Sequence, residues 1–122
     1  MKSRDTMIRL KRFQLEEKRR RVRQIERMLA EFTRMSGELD REIANEEKRA
    51  GISDPHHFAY PTYARAACAR RDNLKSSIAE LAAQIDEARA AQEEAQAELL
   101  KFEILESRDK TNDRAIEAIA RA

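Results

Sequence analysis

The chain has 122 residues and a net charge of +2, with 39% charged residues, 5% aromatic residues and no tryptophan. Its length gives room for one domain. An ordinary globular core of this size needs more large apolar residues, and many more turn residues than two glycines and two prolines. The small net charge does not indicate a nucleic-acid or membrane partner. Composition therefore leaves long helices or disorder, and the spacing of apolar residues decides between them.

The first half of the chain has a 3.5-residue apolar repeat. With Val22 taken as heptad position a, nine of the thirteen a and d positions between Ile8 and Ala50 are apolar. This repeat supercoils a helix around a partner helix. Gly51 stands where a glycine commonly ends a helix, so we predict helix 1 over about residues 3–50. The a and d positions are Ile8, Lys11, Leu15, Lys18, Val22, Ile25, Leu29, Phe32, Ser36, Leu39, Ile43, Glu46 and Ala50.

Residues 51–61, GISDPHHFAYP, break the helical pattern. Asp54 and Pro55 suit the cap and first position of a single helical turn. Pro61 disfavours helical geometry at Tyr60 and suits the first turn of a second helix. Two prolines this close together cannot lie inside one straight helix. We therefore predict that the chain folds back in this loop.

The second half repeats the heptad pattern and is rich in alanine, with 17 alanines between residues 59 and 122. Alanine has the highest helix propensity, so we predict helix 2 over about residues 62–119. Beyond Phe102 the seam positions become mostly acidic, and we expect the acids Glu106, Asp109 and Asp113 not to pack there. The seam positions are Ala64, Ala67, Arg71, Leu74, Ile78, Leu81, Ile85, Ala88, Gln92, Ala95, Leu99 and Phe102, followed by Glu106, Asp109, Asp113, Ile116 and Ala120.

A short loop between long helices makes them antiparallel neighbours. Pairing residues whose numbers add to about 114 places Leu15 opposite Leu99 and Leu29 opposite Ile85. Residues 1–23, with ten Lys or Arg and three acids, then overlap residues 80–106, with eight acids and two bases. Opposite charges beside a seam help to fix helix orientation. The predicted fold class is all-α: two long antiparallel helices forming one coiled-coil hairpin domain over residues 1–122.

No catalytic residue, cofactor site or metal site is predicted. His56 and His57 are adjacent in the loop, and two ligands without a third do not make a metal site, so we interpret them as part of a polar turn. The single Cys68 excludes an internal disulfide and is interpreted as a small buried or half-buried filler. No apolar run approaches the length of a membrane span. These observations predict a cytoplasmic protein that is not an enzyme.

Apolar residues outside the seam collect at the end of the hairpin that carries both termini. Leu10 and Phe13 on helix 1, and Leu100, Ile104 and Leu105 on helix 2, predict an exposed apolar patch of the kind that binds proteins. The alternative for this end is a rotated seam or a helical dimer. Ile116 and Ile119 form a further isolated apolar pair, which either docks into a partner or lies on a frayed tail.

The densest charge run lies on helix 1 at residues 18–23. It has three interpretations: a solvated face neutralised by helix 2 acids, a contact for an acidic protein surface, or a contact for nucleic acid. No aromatic residues alternate with it, which argues against single-strand binding. Together with the apolar patch, it gives the candidate partner-binding residues Leu10, Arg12, Phe13, Lys18, Arg19, Arg20, Arg21, Arg23, Leu100 and Ile104.

Three segments resemble the flagellar export protein FliJ family of the alphaproteobacterial type. They are the opening MKSRDTMIRLKRFQLEEKRRRV, the loop GISDPHHFAYPTYARAA and the nearby RRDNL. The resemblance covers nearly the whole chain, and the loop is its most specific part. It implies a two-helix coiled coil similar to the central stalk of rotary ATPases, with both termini at the end that enters the ring.

The resemblance also implies a function in flagellum assembly and motility, as a non-catalytic part of the type III protein export apparatus. The implied partners are the hexameric export ATPase, which the chain would bind and stimulate, the membrane protein of the export gate, and export chaperones. The implied location is cytoplasmic and peripheral to the membrane-associated apparatus, without direct insertion into the membrane.

Two other functions stay open. A coiled-coil chaperone or scaffold unrelated to flagella would bind clients through the loop around Phe58, Tyr60 and Tyr63. A basic-helix nucleic-acid binder would show affinity that falls steeply with salt. The sequence also leaves open whether the chain is a monomer or a homodimer.

Overall fold

The structure is a computed structural model that describes residues 2–122, with only the backbone of Lys2 described. It contains two helices: α1, Lys2–Ala50, with 49 residues, and α2, Thr62–Arg121, with 60 residues. There is no strand in the described part of the chain. The predicted all-α helical hairpin is confirmed, and α2 continues two residues past its predicted end.

The end of α1 is set by Gly51, as predicted. Gly51 has a φ of 71°, and its N–H donates to the Glu47 carbonyl at 2.8 Å. A left-handed glycine with this single hydrogen bond is one of the common ways to end a helix. The feature satisfies one of the terminal carbonyls and turns the chain away from the helix axis.

The loop contains two successive turns instead of the predicted single helical turn. The His57 N–H donates to the Asp54 carbonyl at 3.0 Å, and the Tyr60 N–H donates to the His57 carbonyl at 3.1 Å. The Asp54 side chain accepts a hydrogen bond from the His56 N–H at 2.9 Å. This is the bond that a helix cap makes, as expected for Asp54 before Pro55, but no helix follows it in residues 55–61. Pro61 then precedes α2, and its carbonyl accepts the first helical hydrogen bond from Arg65.

Contacts divide the chain into two units. Unit 1 comprises α1 up to Arg23 together with the chain from Glu87 onward, and unit 2 comprises Gln24–Asp86. Each unit contains a stretch of both helices, so each has its own part of the apolar seam.

The core of unit 1 contains Leu15 and Leu99 in one apolar cluster, which is the pairing predicted from the heptads. A lysine at a seam position is accommodated beside this cluster. Lys11 Nζ lies 5.8 Å from the centre of the Phe102 ring and 3.7 Å from a Glu98 carboxylate oxygen. The lysine stem can thus cover apolar surface while its charge has two partners. The cluster consists of Ile8, Leu15, Leu99, Ala95 and Phe102.

Acidic residues at the far end of the seam were expected not to pack, and the structure corrects this for Asp109. Asp109 forms an ion pair with Arg4 of α1 and is partly buried, so the seam continues there as a charge pair. Glu106 is also partly buried and pairs with Lys110 at 3.1 Å. From residue 111 onward all side chains are exposed, and the helix continues to Arg121.

The core of unit 2 combines large and small residues. Leu39 and Ile43 of α1 pack with Ala67 of α2, and Cys68 and Leu74 border this cluster. Cys68 is half-buried, as predicted. Small α2 side chains let the two helices approach closely, which compensates for their low apolar area.

Polar residues at seam positions of unit 2 are also accommodated in the structure. Ser36 is buried, and no buried side-chain nitrogen or oxygen in the described residues lacks a hydrogen-bond partner. Arg71 is directed from the seam to Asp40, with a nitrogen–oxygen distance of 3.2 Å. The charged seam residue thereby supplies a contact from α2 to α1.

Alanine substitution of the two glycines is expected to have opposite effects on the stability of the hairpin. Gly37 lies inside α1 with no atom within 4 Å of the position where a Cβ would stand. We expect Gly37→Ala to stabilise the hairpin by about 1 kcal/mol, because alanine is the better helix former. We expect Gly51→Ala to cost roughly 1–2 kcal/mol, because its φ is left-handed.

Thermal unfolding followed by circular dichroism measures both changes. Each variant serves as the control for the other, since both replace glycine with the same residue. A neutral Gly51→Ala would contradict the left-handed end of α1.

Candidate functional site

Exposed large apolar side chains are concentrated in unit 1. Of eleven such side chains identified in the described residues, eight lie in unit 1 and three in unit 2. Unit 1 thus presents apolar surface on a helix pair whose outer faces are otherwise strongly charged, which is the usual mark of a protein-binding surface. The eight are Met7, Leu10, Phe13, Leu100, Ile104, Leu105, Ile116 and Ile119.

These side chains are distributed around unit 1. On α1, Leu10 lies at heptad position c and Phe13 at position f, on the face away from the buried Ile8 and Leu15. On α2, Leu100 lies at position b, which faces the other side of the seam from position c. The single patch expected from the sequence is therefore divided between two sides, with Leu10 on one side and Leu100 on the other.

A groove follows the Leu100 side of unit 1. Leu15 and Leu99 contribute apolar floor, and Leu100 lies on its rim. Arg12 and Glu103 form an ion pair at 3.4 Å across the two helices beside it. The groove has a volume of about 470 Å³. An apolar floor with charged walls can receive apolar side chains of a partner helix while the walls fix its orientation.

The basic run of α1 remains at the surface. Arg19 and Arg23 both pair with Glu16, at 3.3 and 4.0 Å, and Arg20 pairs with Glu17 at 2.6 Å. For these three arginines, one of the three interpretations, neutralisation by helix 2 acids, is not what the structure shows, because their carboxylate partners lie on their own helix. Exposed pairs of this kind contribute little to stability, so the guanidinium groups can exchange partners with an acidic surface.

The remaining cationic candidates occupy different places. Lys18 lines a second groove, together with Glu94 and Glu98 of α2. Arg12 reaches Glu103 of α2. Arg21 is exposed and also has an interaction partner. The structure thus brings Arg12 and Lys18 to the helix–helix boundary.

The loop presents one aromatic residue to solvent and buries another. Phe58 is 94% exposed and stacks on His57, with ring centres 4.8 Å apart. Tyr60 is only 4% exposed: its hydroxyl donates to Glu47 at 2.8 Å and lies 3.7 Å from the Cys68 sulfur. The loop-binding alternative listed Tyr60 with Phe58 and Tyr63, and burial removes Tyr60 from that set. Sequence reasoning missed this core residue.

His57 has a structural contact within the turn. Its Nδ1 accepts a hydrogen bond from the Ala59 N–H at 3.0 Å. Across residues 2–122, no group of three His, Cys, Asp or Glu side chains is placed to hold a metal ion. Neither described helix has a stretch long and apolar enough to cross a bilayer.

The chain was compared with models of protein families, with curated proteins and with solved structures, and none of them matched. The likeness of the opening and loop segments to flagellar export proteins therefore stays a sequence-based prediction.

Both tyrosines have a pKa raised above the ordinary tyrosine value. Burial, followed by the hydrogen bond to Glu47, raises the pKa of Tyr60. The hydrogen bond from Tyr63 to Glu42 raises the pKa of Tyr63. A raised pKa in the folded state means that the stability from Tyr60 is present below about pH 10, the ordinary tyrosine pKa, and is lost as pH rises further.

Phenolate absorbance and helical circular dichroism, recorded together through an alkaline titration, test this. We expect little phenolate near pH 10. In Tyr60→Phe, the part of the stability loss at alkaline pH that is due to ionisation of Tyr60 should disappear. At neutral pH the variant should be less stable by roughly 1 kcal/mol, because Glu47 loses its hydrogen-bond donor. Normal titration of both tyrosines in the folded chain would contradict the two hydrogen bonds.

Proposed function

We propose that the chain is a non-catalytic adaptor of the flagellar type III export apparatus that binds and stimulates the hexameric export ATPase. The observation that carries the proposal is the concentration of exposed apolar side chains in unit 1, eight of the eleven identified. The sequence resemblance supplies the partner, and the helical hairpin is the fold that the resemblance implies.

The energetics favour a binding role for unit 1. Phe13 is 62% exposed, and Leu10 and Leu100 are about half exposed. Full burial of such a side chain is worth about 1.5–3 kcal/mol, so two or three of them in a partner's pockets supply much of a specific interaction. Leaving them in water has no structural benefit for the hairpin, whose seam is filled by other residues.

The cations of α1 complement this apolar surface. Arg19, Arg20 and Arg23 are held near the surface by pairs to their own helix. Such groups increase the rate of association with an acidic surface and help to orient the complex, more than they add to affinity. The proposed ATPase contact therefore combines apolar anchors with electrostatic steering.

The other partners follow from the same resemblance. We infer contacts with the membrane protein of the export gate and with export chaperones, and a cytoplasmic location peripheral to the apparatus. The absence of a membrane-spanning stretch from the described helices agrees with a peripheral location.

A chaperone or scaffold unrelated to flagella is the second candidate, and the loop favours it. Phe58 is almost fully exposed at the top of a turn fixed by several hydrogen bonds. A rigid exposed aromatic loses little conformational freedom on binding, which makes it an effective anchor. This candidate locates binding at Phe58 and not at Leu10 and Phe13.

Stimulation of the purified export ATPase separates the two candidates. We expect the wild-type chain to increase ATP hydrolysis and Leu10→Asp/Phe13→Asp to lose about tenfold in apparent affinity, because charged groups replace the apolar anchors. Both residues are exposed, so the hairpin should retain its helical circular dichroism.

Phe58→Asp is the matched control, since it also replaces an exposed aromatic with aspartate. Its stimulation should equal that of the wild type. Stimulation that survives Leu10→Asp/Phe13→Asp and is lost in Phe58→Asp would remove the unit 1 surface from the mechanism and favour the loop. Failure of the wild-type chain to bind or stimulate the ATPase would refute the ATPase assignment.

A further inference from the structure

The outer face of α1 carries a cation at every seventh residue. These residues occupy heptad position f, opposite the seam, and all are exposed. One heptad spans about 10.5 Å along a helix, so the cations form an evenly spaced row. The row consists of Arg20, Arg27, Arg34, Arg41 and Lys48.

The outer face of α2 has an acidic row with the same period. Glu80, Glu87 and Glu94 occupy heptad position c and are exposed. Three residues after each glutamate stands an exposed alanine: Ala83, Ala90 and Ala97. On α1 the cations of the row pair with acids of their own helix: Arg20 with Glu17 at 2.6 Å, and Arg34 with Glu31 and Glu38 at 2.5 Å each. Such exposed pairs contribute little to stability, so these arginines can exchange partners. Each glutamate of the α2 row therefore has an alanine three residues later, at the position where Glu17 of α1 has Arg20.

The two rows match in register when a second hairpin lies alongside with its loop at the same end. Its α2 then runs antiparallel to α1 of the first copy, as α2 does within one hairpin. Leu15 and Leu99 share a cluster within one chain, and their numbers add to 114. When residues of the two copies pair with the same sum of 114, a cation of α1 lies opposite an acid of α2 of the second copy in each unit. The unit 1 pair is Arg20 and Glu94 of the second copy, and the unit 2 pair is Arg34 and Glu80 of the second copy.

We propose that the outer face of α1 binds the outer face of α2 of a second copy of this chain. The alanine row lets the helices approach closely, and the acidic row meets the arginines. In unit 1 the same register places Leu10 opposite Ile104 of the second copy, which buries two exposed apolar side chains. A second copy fits better than an unrelated acidic protein, because both rows have the same heptad period within the same chain, and the register that pairs Leu15 with Leu99 within one hairpin also matches the two rows.

The interface is heterologous, since it joins two different faces. The pair keeps one free α1 face and one free α2 face, so assembly continues laterally or closes into a ring. The proposal does not rest on the ATPase assignment. Leu10 and Ile104 belong to both surfaces, so self-association competes with partner binding in unit 1, whereas Arg34 and Glu80 belong to the self-association surface alone.

Sedimentation velocity of the purified full chain over a range of concentrations tests the interface. We expect concentration-dependent association that weakens between low and high salt. Arg34→Glu and Glu80→Arg should each weaken association roughly fivefold, because each places like charges opposite each other. The double variant Arg34→Glu/Glu80→Arg should recover association, because the charges are then exchanged.

Arg41→Glu is the matched control. Arg41 belongs to the same cationic row but lies opposite Asn73 of the second copy in this register, so its reversal should leave association unchanged. Helical circular dichroism checks that every variant is folded. A wild-type chain that stays monomeric at all concentrations overturns the proposal. So does an Arg41→Glu effect equal to that of Arg34→Glu, or a double variant that does not recover.

Discussion

The structure depends on one narrow apolar seam, because neither helix can bury its stripe except against the other. The largest fully buried side chain is Ile25, and much of the α2 stripe is alanine. Because the seam is narrow, most of the surface of each helix is exposed to water, where charged side chains remain solvated. It also means that single positions along the seam matter, since there is no second layer of core to compensate for a loss.

The seam accepts charged residues where each has a specific partner. Lys11 lies near Phe102 and Glu98, and Arg4 pairs with Asp109. Both arrangements bring a cation of α1 to α2, and both lie in the part of the hairpin where the two helices differ most in charge. Such pairs add little stability at the surface, but they disfavour other registers, because a shifted helix would oppose like charges.

Much of the fold could be predicted from sequence because its determinants are local or periodic. The heptad repeat gave both helices, Gly51 marked the end of α1, and the two prolines marked the loop. The burial of Tyr60 could not be predicted this way, because its partners Glu47 and Cys68 come from two different helices.

The candidate site was less predictable. Residue types identified Leu10 and Leu100 as unusual on a charged surface, but heptad position was needed to place them on opposite sides of the seam. One of the three interpretations of the basic run placed the partners of Arg19 and Arg20 on helix 2, whereas these arginines pair with carboxylates three residues away on their own helix. Long-range charge balance does not specify individual pairs when local ones are available.

The Tyr60 hydroxyl has a consequence for the order in which the hairpin forms. Its bond to Glu47 joins residues only 13 apart in sequence, whereas the contact between Arg4 and Leu105 closes a segment of 101 residues. Closing the longer segment from an unfolded chain costs about 2 kcal/mol more in chain entropy. Folding should therefore nucleate beside the loop and zip toward the termini, with low contact order at every step. Unit 1 then forms last and opens first, so the surface that carries most of the exposed apolar groups is also the one whose folding a bound protein can complete.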